Sequence, residues 1–221
     1  MVGCSPTPAV EAYFPLAAGR QWTYRIQTRF ENDPEPRLTE RRMENRGPDD
    51  IAGGRAWRRR TEQGVDYWLR SDETGVYRVA HRVPPDVTLK EDSPRRYVLR
   101  APIAVGTQWD APTTLYLLAT RYAARNELER PPTTVLMTYR IAAVNQSLTT
   151  PAGHFDRCVR VEGQAEVRIW VDTLRQWRNM PVHASEWYCE NAGLVRQERI
   201  ESSPSRFMTG GSVLLELLAW D

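Results

Sequence analysis

The sequence predicts a mainly β protein built from one strongly curved antiparallel sheet of about ten strands, with little helix. Three observations support this fold class. Apolar and polar residues alternate with a period of two in several long segments, short glycine-containing loops separate such segments, and helical periodicity is scarce. The chain of 221 residues is long enough to bury one large core. The pattern leaves open whether the sheet is a half-barrel or a closed barrel.

The first strand is predicted from Trp22 to Phe30, where the even positions carry large or β-branched side chains and the odd positions are polar. This alternation indicates a strand with one face in water. The segments 67–70 and 76–79 flank the glycine-ended loop 71–75 and predict a hairpin. A strand is also predicted at 97–100.

The longest alternation runs from Cys158 to Val171, which exceeds the usual strand length of about five or six residues. We therefore expect the sheet to be strongly curved here, or bent at Gly163. Further strands are predicted at 134–143, 194–200 and 213–219. The segment 115–128 is either a helix or a strand followed by a polar loop.

Residues 1–12 are predicted to form a lipobox-like start and a flexible tether, and residues 13–221 a single β domain. The opening Met-Val-Gly-Cys-Ser resembles the end of a bacterial lipoprotein signal, in which a cysteine receives the lipid. This resemblance implies lipidation at Cys4, attachment to a membrane through acyl chains, and, with Ser5 after the cysteine, the periplasmic side of the outer membrane. The alternative is a plain cytosolic protein with a cysteine near its start.

Cys158 and Cys189 are the two cysteines that remain. In an oxidising compartment they form an even pair, and a bridge between them would close a loop of about 30 residues. Two free buried thiols are the alternative, because spacing alone does not give their separation in space.

Three segments share a turn-and-strand pattern that resembles a broad group of bacterial secreted proteins and lipoproteins. They are residues 13–24, 150–161 and 187–198. The resemblance implies a single antiparallel sheet wrapped into a half-barrel, similar to that of the Lol lipoprotein carriers. The shared signatures are structural, and no catalytic residue is implied by them.

Charge and motifs argue against several function classes. Thirty basic and 28 acidic residues leave a formal charge of +2, so no net field favours nucleic acid as a partner. The three histidines, His81, His154 and His183, lack metal-ligand spacing, and nucleotide-binding or hydrolase motifs are absent from the sequence. We therefore predict no catalytic residues, no metal, no cofactor and no enzymatic activity.

Two places are candidates for a contact surface. Trp57, Arg58 and Arg60 belong to the densest basic run, which is either a contact for a phosphate-rich partner or a solvated strand balanced by nearby acids. Trp170 shares the polar side of its strand, so it lies either under a second covered surface or in contact with glycan, lipid or protein.

A wide apolar face must be covered by closure, by a second layer or by an apolar guest. We therefore predict a non-enzymatic outer-membrane lipoprotein that acts as a binding or interaction subunit of an envelope assembly, with a protein partner. The alternative is a carrier or sensor of a hydrophobic ligand held in the concave face. A carrier should contain a deep apolar cavity, whereas an assembly subunit should fill its barrel with large side chains and expose a patch.

Overall fold

The computed structural model describes residues 10–31, 33–51, 53–120, 134–171, 174–203 and 208–221. Within these ranges it contains one short helix and fourteen strands. In chain order they are α1 Val10–Tyr13, β1 Gln21–Phe30, β2 Arg37–Ile51, β3 Gly54–Thr61, β4 Asp66–Asp72, β5 Gly75–Arg82, β6 Lys90–Arg100, β7 Gln108–Thr114, β8 Ala119–Thr120, β9 Thr134–Thr150, β10 Gly153–Val171, β11 Gln176–Cys189, β12 Gly193–Glu201, β13 Met208–Thr209 and β14 Gly211–Trp220.

Twelve of these strands form one antiparallel sheet in the order β6-β5-β4-β3-β2-β1-β14-β12-β11-β10-β9-β7. The sheet curves until its edge strands, β6 and β7, approach each other, so the molecule is a nearly closed barrel. The predicted fold class is confirmed, but the number of strands in the sheet is twelve rather than ten. β2 shows why the count was low, since most of its side chains are exposed on both faces and leave no apolar alternation.

The long strand predicted around Gly163 is present as β10, with Val159, Val161 and Val167 buried and the intervening side chains more exposed. A Cβ atom at Gly163 would lie 2.6 Å from the Sδ atom of Met137 and 2.9 Å from the ring of Tyr139. The glycine therefore allows two large side chains of β9 to pack directly on the backbone of β10.

The N-terminal segment closes one end of the barrel. Tyr13, Phe14 and Leu16 are buried in the main core cluster, and the backbone N–H of Asn191 donates a 2.6 Å hydrogen bond to the carbonyl of Ala12. Helix α1 thus begins within the predicted 1–12 segment and lies beside the turn that joins β11 to β12. No helix in the described part of the chain is long and apolar enough to span a bilayer.

The loop that follows β7 also enters the interior of the barrel. Leu117 is 1% exposed and belongs to the buried cluster that also contains Trp22, Tyr24 and Leu215. The segment 115–120 contains no helix, bends at Leu117 and ends in β8, whereas residues 121–128 of the predicted helix-or-strand segment lie outside the described residues.

Cys158 and Cys189 are joined by a disulfide. They are direct cross-strand partners in β10 and β11, with their Cα atoms 4.0 Å apart. Of the two arrangements left open by the sequence, the structure contains the bridge. It links two long neighbouring strands near the end of the barrel that α1 covers.

Candidate functional site

The candidate site is the interior of the barrel, which encloses a cavity of about 580 Å³. Its wall is built from nine strands and from Tyr116 in the loop after β7. One row of cross-strand partners crosses the wall from β11 to β2, and it consists of Glu186, Gln197, Leu215, Ile26 and Thr39. Because these residues are in register, their side chains emerge on the same, inner face.

Apolar and polar side chains share this wall. Ile26, Val98, Val213 and Leu215 supply apolar surface. The polar part consists of threonines, tyrosines, Gln197, Glu186 and the arginines Arg41, Arg96 and Arg199. The cavity is therefore amphipathic, in contrast to the purely apolar cavity expected of a carrier for a hydrophobic ligand.

Glu186 is a nearly buried carboxylate in this wall, with 8% of its surface exposed. Its Oε2 atom accepts a 2.5 Å hydrogen bond from the hydroxyl of Tyr188, and its Oε1 atom accepts a 2.7 Å bond from Gln197. Both carboxylate oxygens are thus satisfied by neutral donors, which offsets part of the cost of burying the charge.

Tyrosines surround this carboxylate. Burial, together with the negative charge of Glu186, raises the pKa of Tyr139 to about 12 and raises the pKa of Tyr188 well above its ordinary value. Burial likewise raises the pKa of Tyr116. These phenols therefore stay protonated near neutral pH and act as hydrogen-bond donors.

Arg199 is the most deeply buried arginine of the wall, and its charge is compensated. Its guanidinium donates to Glu201 at 2.7 Å, to the hydroxyl of Thr113 at 2.9 Å and to the carbonyl of Thr114 at 3.1 Å. The carboxylate of Glu201 also accepts backbone N–H groups, at 2.8 Å from Leu117 and at 3.0 Å from Leu118. This network holds the loop after β7 inside the barrel.

Arg41 and Arg96 differ from Arg199 because neither makes an ion pair within the described residues. Arg96 donates through Nε to the carbonyl of Pro112 at 2.7 Å, a bond that connects edge strand β6 to edge strand β7. Its terminal nitrogens make no hydrogen bond within the same residues. Arg41 lies on β2 opposite Tyr24 and is solvent-exposed along the cavity wall. The cavity thus contains two cations with unused donors.

A second feature lies at the far end of the β10–β11 hairpin. Trp170 and Trp177 are cross-strand partners whose rings pack edge to face at 5.6 Å, and they remain 39% and 51% exposed. The guanidinium of Arg168 lies 5.1 Å from the ring centre of Trp177. The exposed aromatic surface around Trp170 is therefore larger than one side chain.

The other predicted contact residues lie elsewhere. Trp57 is half-buried against the main core, Arg58 lies 3.6 Å from Asp49, and Arg60 binds Asp66 through two hydrogen bonds of 2.7 and 2.8 Å. All three belong to β3. Five strands of the sheet lie between β3 and β10. The structure thus does not bring them together with Trp170.

Asp66 shows how this basic run is neutralised. Burial alone would raise the pKa of Asp66, but hydrogen bonds from Arg60 and Arg82 bring it below its ordinary value. The third arginine of the run, Arg59, faces the interior, where it donates to Asn45 at 2.8 Å and to the carbonyl of Pro15 at 2.8 Å. The geometry corresponds to the solvated and structural alternative for this run.

Cys4, the predicted lipidation site, lies outside the described residues. His154 is exposed beside Asp156, and His81 lies 3.6 Å from Asp92. Within the described ranges, the structure contains no group of three His, Cys, Asp or Glu side chains that could hold a metal ion.

Several residues of these two sites were not identified from sequence. Trp177 pairs with Trp170 across a hairpin that the sequence analysis did not predict, so the pairing was found only in the structure. Arg41, Arg96 and Glu186 carried no local signal, since each is one charged residue among many and only strand order places them around one cavity.

No protein-family model matches the chain, and no curated protein matches it. Among solved structures it is similar to a presumed lipoprotein from Parabacteroides distasonis ATCC 8503, at 15% identity and a TM-score of 0.43, over 95% of this chain and 98% of that one. It is also similar to a presumed exported protein with YmcC-like fold from Bacteroides fragilis NCTC 9343, at 15% identity and a TM-score of 0.41, over 97% and 100% of the two chains. These similarities do not show which family the chain belongs to. Neither description mentions a Lol carrier, and that resemblance stays a prediction.

Proposed function

We propose that the protein is a non-enzymatic, lipid-anchored protein of the bacterial envelope that binds an anionic amphiphile inside its barrel. The observation that carries this proposal is the cavity of about 580 Å³ with Arg41 and Arg96 in its wall. This volume lies within the range of about 300–1,000 Å³ typical of small-molecule sites.

The chemistry of the wall favours a ligand with two unlike parts. The apolar side chains, among them Val98, Val213 and Leu215, suit a hydrocarbon body. The unused guanidinium donors of Arg41 and Arg96 suit a carboxylate, phosphate or sulfate group, because arginine forms strong charge-assisted hydrogen bonds to such anions. A neutral hydrocarbon would leave these cations without a partner.

The competing role, an interaction subunit with a filled barrel, is less well supported. Its barrel should be packed with large side chains, whereas a cavity of ligand size lies between β1, β6 and β12. Glu186 also gives little support to catalysis, since Tyr188 and Gln197 occupy both of its oxygens. Ligand binding is the role that fits both observations.

The envelope location rests on two features of the chain. The first is the resemblance of the residues around Cys4 to a lipoprotein signal. The second is the disulfide between Cys158 and Cys189, because such bonds persist in oxidising compartments such as the periplasm. We therefore propose the periplasmic side of the outer membrane as the location.

The proposal is tested with three probes that share one alkyl chain: dodecanoate, dodecyl phosphate and dodecanol. We expect the purified chain to bind the two anionic probes by calorimetry and to bind dodecanol at least about tenfold more weakly, because a charge-assisted hydrogen bond contributes on the order of 1.5–3 kcal/mol. Arg41→Ala should weaken anionic binding by a similar factor.

Arg42→Ala is the matched control. Arg42 is the next residue of β2, and it is exposed and pairs with Thr23, whose side chain is on the other face of the sheet from Tyr24. Its removal should leave probe binding unchanged. If none of the probes binds, or if dodecanol binds as tightly as dodecanoate, the proposed function is wrong.

A further inference from the structure

The β10–β11 hairpin extends beyond the rest of the sheet. β10 pairs with β9 only as far as Gln164, and β11 pairs with β12 only from Val182 onward. Among the described residues, 165–171 and 176–180 therefore form strand pairs only with each other and make a two-stranded ribbon. We call this part of the hairpin the ribbon.

The two faces of the ribbon differ. Val167, Ile169 and Met180 are on the face that packs against the main core. Trp170 and Trp177 are on the other face, where they leave large parts of both indole rings in water. The inner contacts hold the ribbon in place, so the tryptophan pair is pre-organised rather than free to turn inward.

The ribbon is also basic. Arg168, Arg175 and Arg178 lie on it or at its turn, and Glu166 is its one acidic residue among the described residues. Arg168 shares the face of Trp170, whereas Arg178 is the cross-strand partner of Ile169 and emerges on the other face. Glu166 accepts a 2.7 Å hydrogen bond from Asn179, while none of the three arginines makes an ion pair within the described residues. Arg168, Arg178, Asn179 and Trp177 line a shallow open depression.

We propose that the ribbon docks on an anionic lipid surface, with Trp170 and Trp177 in the interfacial layer and Arg168, which lies beside them, at the headgroups. Indole rings are favoured at the boundary between headgroups and acyl chains, because they combine an apolar body with an N–H donor. Each arginine near such a surface gains electrostatic attraction to anionic lipid. The inference is independent of the ligand proposed for the cavity.

A lipid surface fits this patch better than a protein partner. A stable protein interface buries about 800 Å² on each side, whereas the exposed parts of two indole rings amount to on the order of 200 Å² of apolar surface. The ribbon is a narrow projection with an aromatic side and flanking cations. Such a shape can insert shallowly into a soft surface without a complementary pocket.

The ribbon is a separate attachment from the predicted acyl anchor. Helix α1 lies beside the turn after Cys189, at the opposite end of β11 from Trp177. With a rise of about 3.3 Å per residue, the 14 residues of β11 span roughly 40 Å. An acylated Cys4 and a docked ribbon would therefore contact the bilayer at distant points, and two such contacts hold a protein more firmly than one.

The experiment is co-sedimentation of the full chain, unacylated through Cys4→Ser, with vesicles of phosphatidylcholine alone or mixed with phosphatidylglycerol. We expect binding to the mixed vesicles that weakens as NaCl is raised, because the Debye length falls from about 10 Å at 0.1 M to about 3 Å at 1 M. Trp170→Ala/Trp177→Ala should reduce this binding at least about tenfold, since it removes on the order of 200 Å² of apolar contact.

Trp220→Ala is the matched control. Trp220 is 38% exposed and has the guanidinium of Arg20 5.4 Å from its ring, but it lies at the opposite end of the barrel from the ribbon. Its removal should leave vesicle binding unchanged. Circular dichroism of each variant separates loss of binding from loss of fold. Arg168→Gln, which keeps both tryptophans, provides a second test, because it should make vesicle binding less sensitive to salt.

Binding to pure phosphatidylcholine as tight as to the mixed vesicles would overturn the proposal. So would mixed-vesicle binding that is unaffected in a folded Trp170→Ala/Trp177→Ala variant. Capture of purified glycan or of a protein by the wild-type ribbon, without vesicle binding, would assign the patch to a different partner and would also overturn it.

Discussion

Arg199 and Glu201 form a buried ion pair in the barrel interior, with 3% and 0% of their surfaces exposed. Charged groups at this depth are costly unless every polar atom has a partner. Here the guanidinium reaches two threonines, and the carboxylate caps consecutive backbone N–H groups from Tyr116 to Leu118. The pair thus converts a loop with unsatisfied donors into part of the barrel interior.

We expect Glu201→Gln to lower the free energy of unfolding by about 3 kcal/mol, because it leaves the Arg199 cation buried without its counter-charge. Urea denaturation followed by circular dichroism measures the change. Glu198→Gln is the control, since Glu198 on the same strand has a 42% exposed side chain and exposed pairs contribute at most about 1 kcal/mol. Equal effects of the two substitutions would contradict the assigned role of Glu201.

At the scale of elements, β10 is the strand that the sequence described best, whereas its neighbour β11 was not predicted. The alternation around Gly163 indicated a long strand, and β10 has 19 residues. The alternation did not indicate that the last part of β10 pairs with β11 alone among the described strands. Pairing depends on the lengths of β9 and β12, which are properties of other segments of the chain.

The disulfide belongs to this same pair of strands. We expect Cys158→Ala/Cys189→Ala to lower the free energy of unfolding by about 3 kcal/mol, because the bridge closes a loop with a sequence separation of 31 and restricts the unfolded chain. Denaturation with and without reductant measures this effect. Reductant should lower the midpoint of the wild type and leave that of the double variant unchanged, and a wild type insensitive to complete reduction would argue against the bridge as a source of stability.

The whole molecule is a sheet that curves almost to closure and leaves a seam. Each edge strand contains a proline, Pro94 in β6 and Pro112 in β7, and proline lacks the N–H needed for a continuous ladder. Arg96 bridges the seam by a side-chain bond to the carbonyl of Pro112 instead. One of the two arginines proposed to bind the ligand thus also connects the barrel edges.

At this scale we expect Val213→Phe to block the cavity. Val213 lines the cavity on β14, so a phenyl ring would occupy ligand space at a cost in stability of about 1–3 kcal/mol. Dodecanoate binding should weaken by about tenfold or more. Ser212→Phe, on the opposite face of the same strand, should bind normally, and unchanged binding in a folded Val213→Phe variant would place the ligand outside the barrel.

The sequence by itself determined the β class, the alternation of β1 and β10, the hairpin at β4 and β5, and the position of Trp170 on the polar side of its strand. These properties are local, because strand geometry sends neighbouring side chains to opposite faces whatever the rest of the chain does. Tertiary structure alone decided strand order, the near-closure of the sheet and the meeting of Arg41, Arg96 and Glu186 around one cavity. Such residues are far apart in the chain, and only the pairing of distant strands brings them to the same interior face.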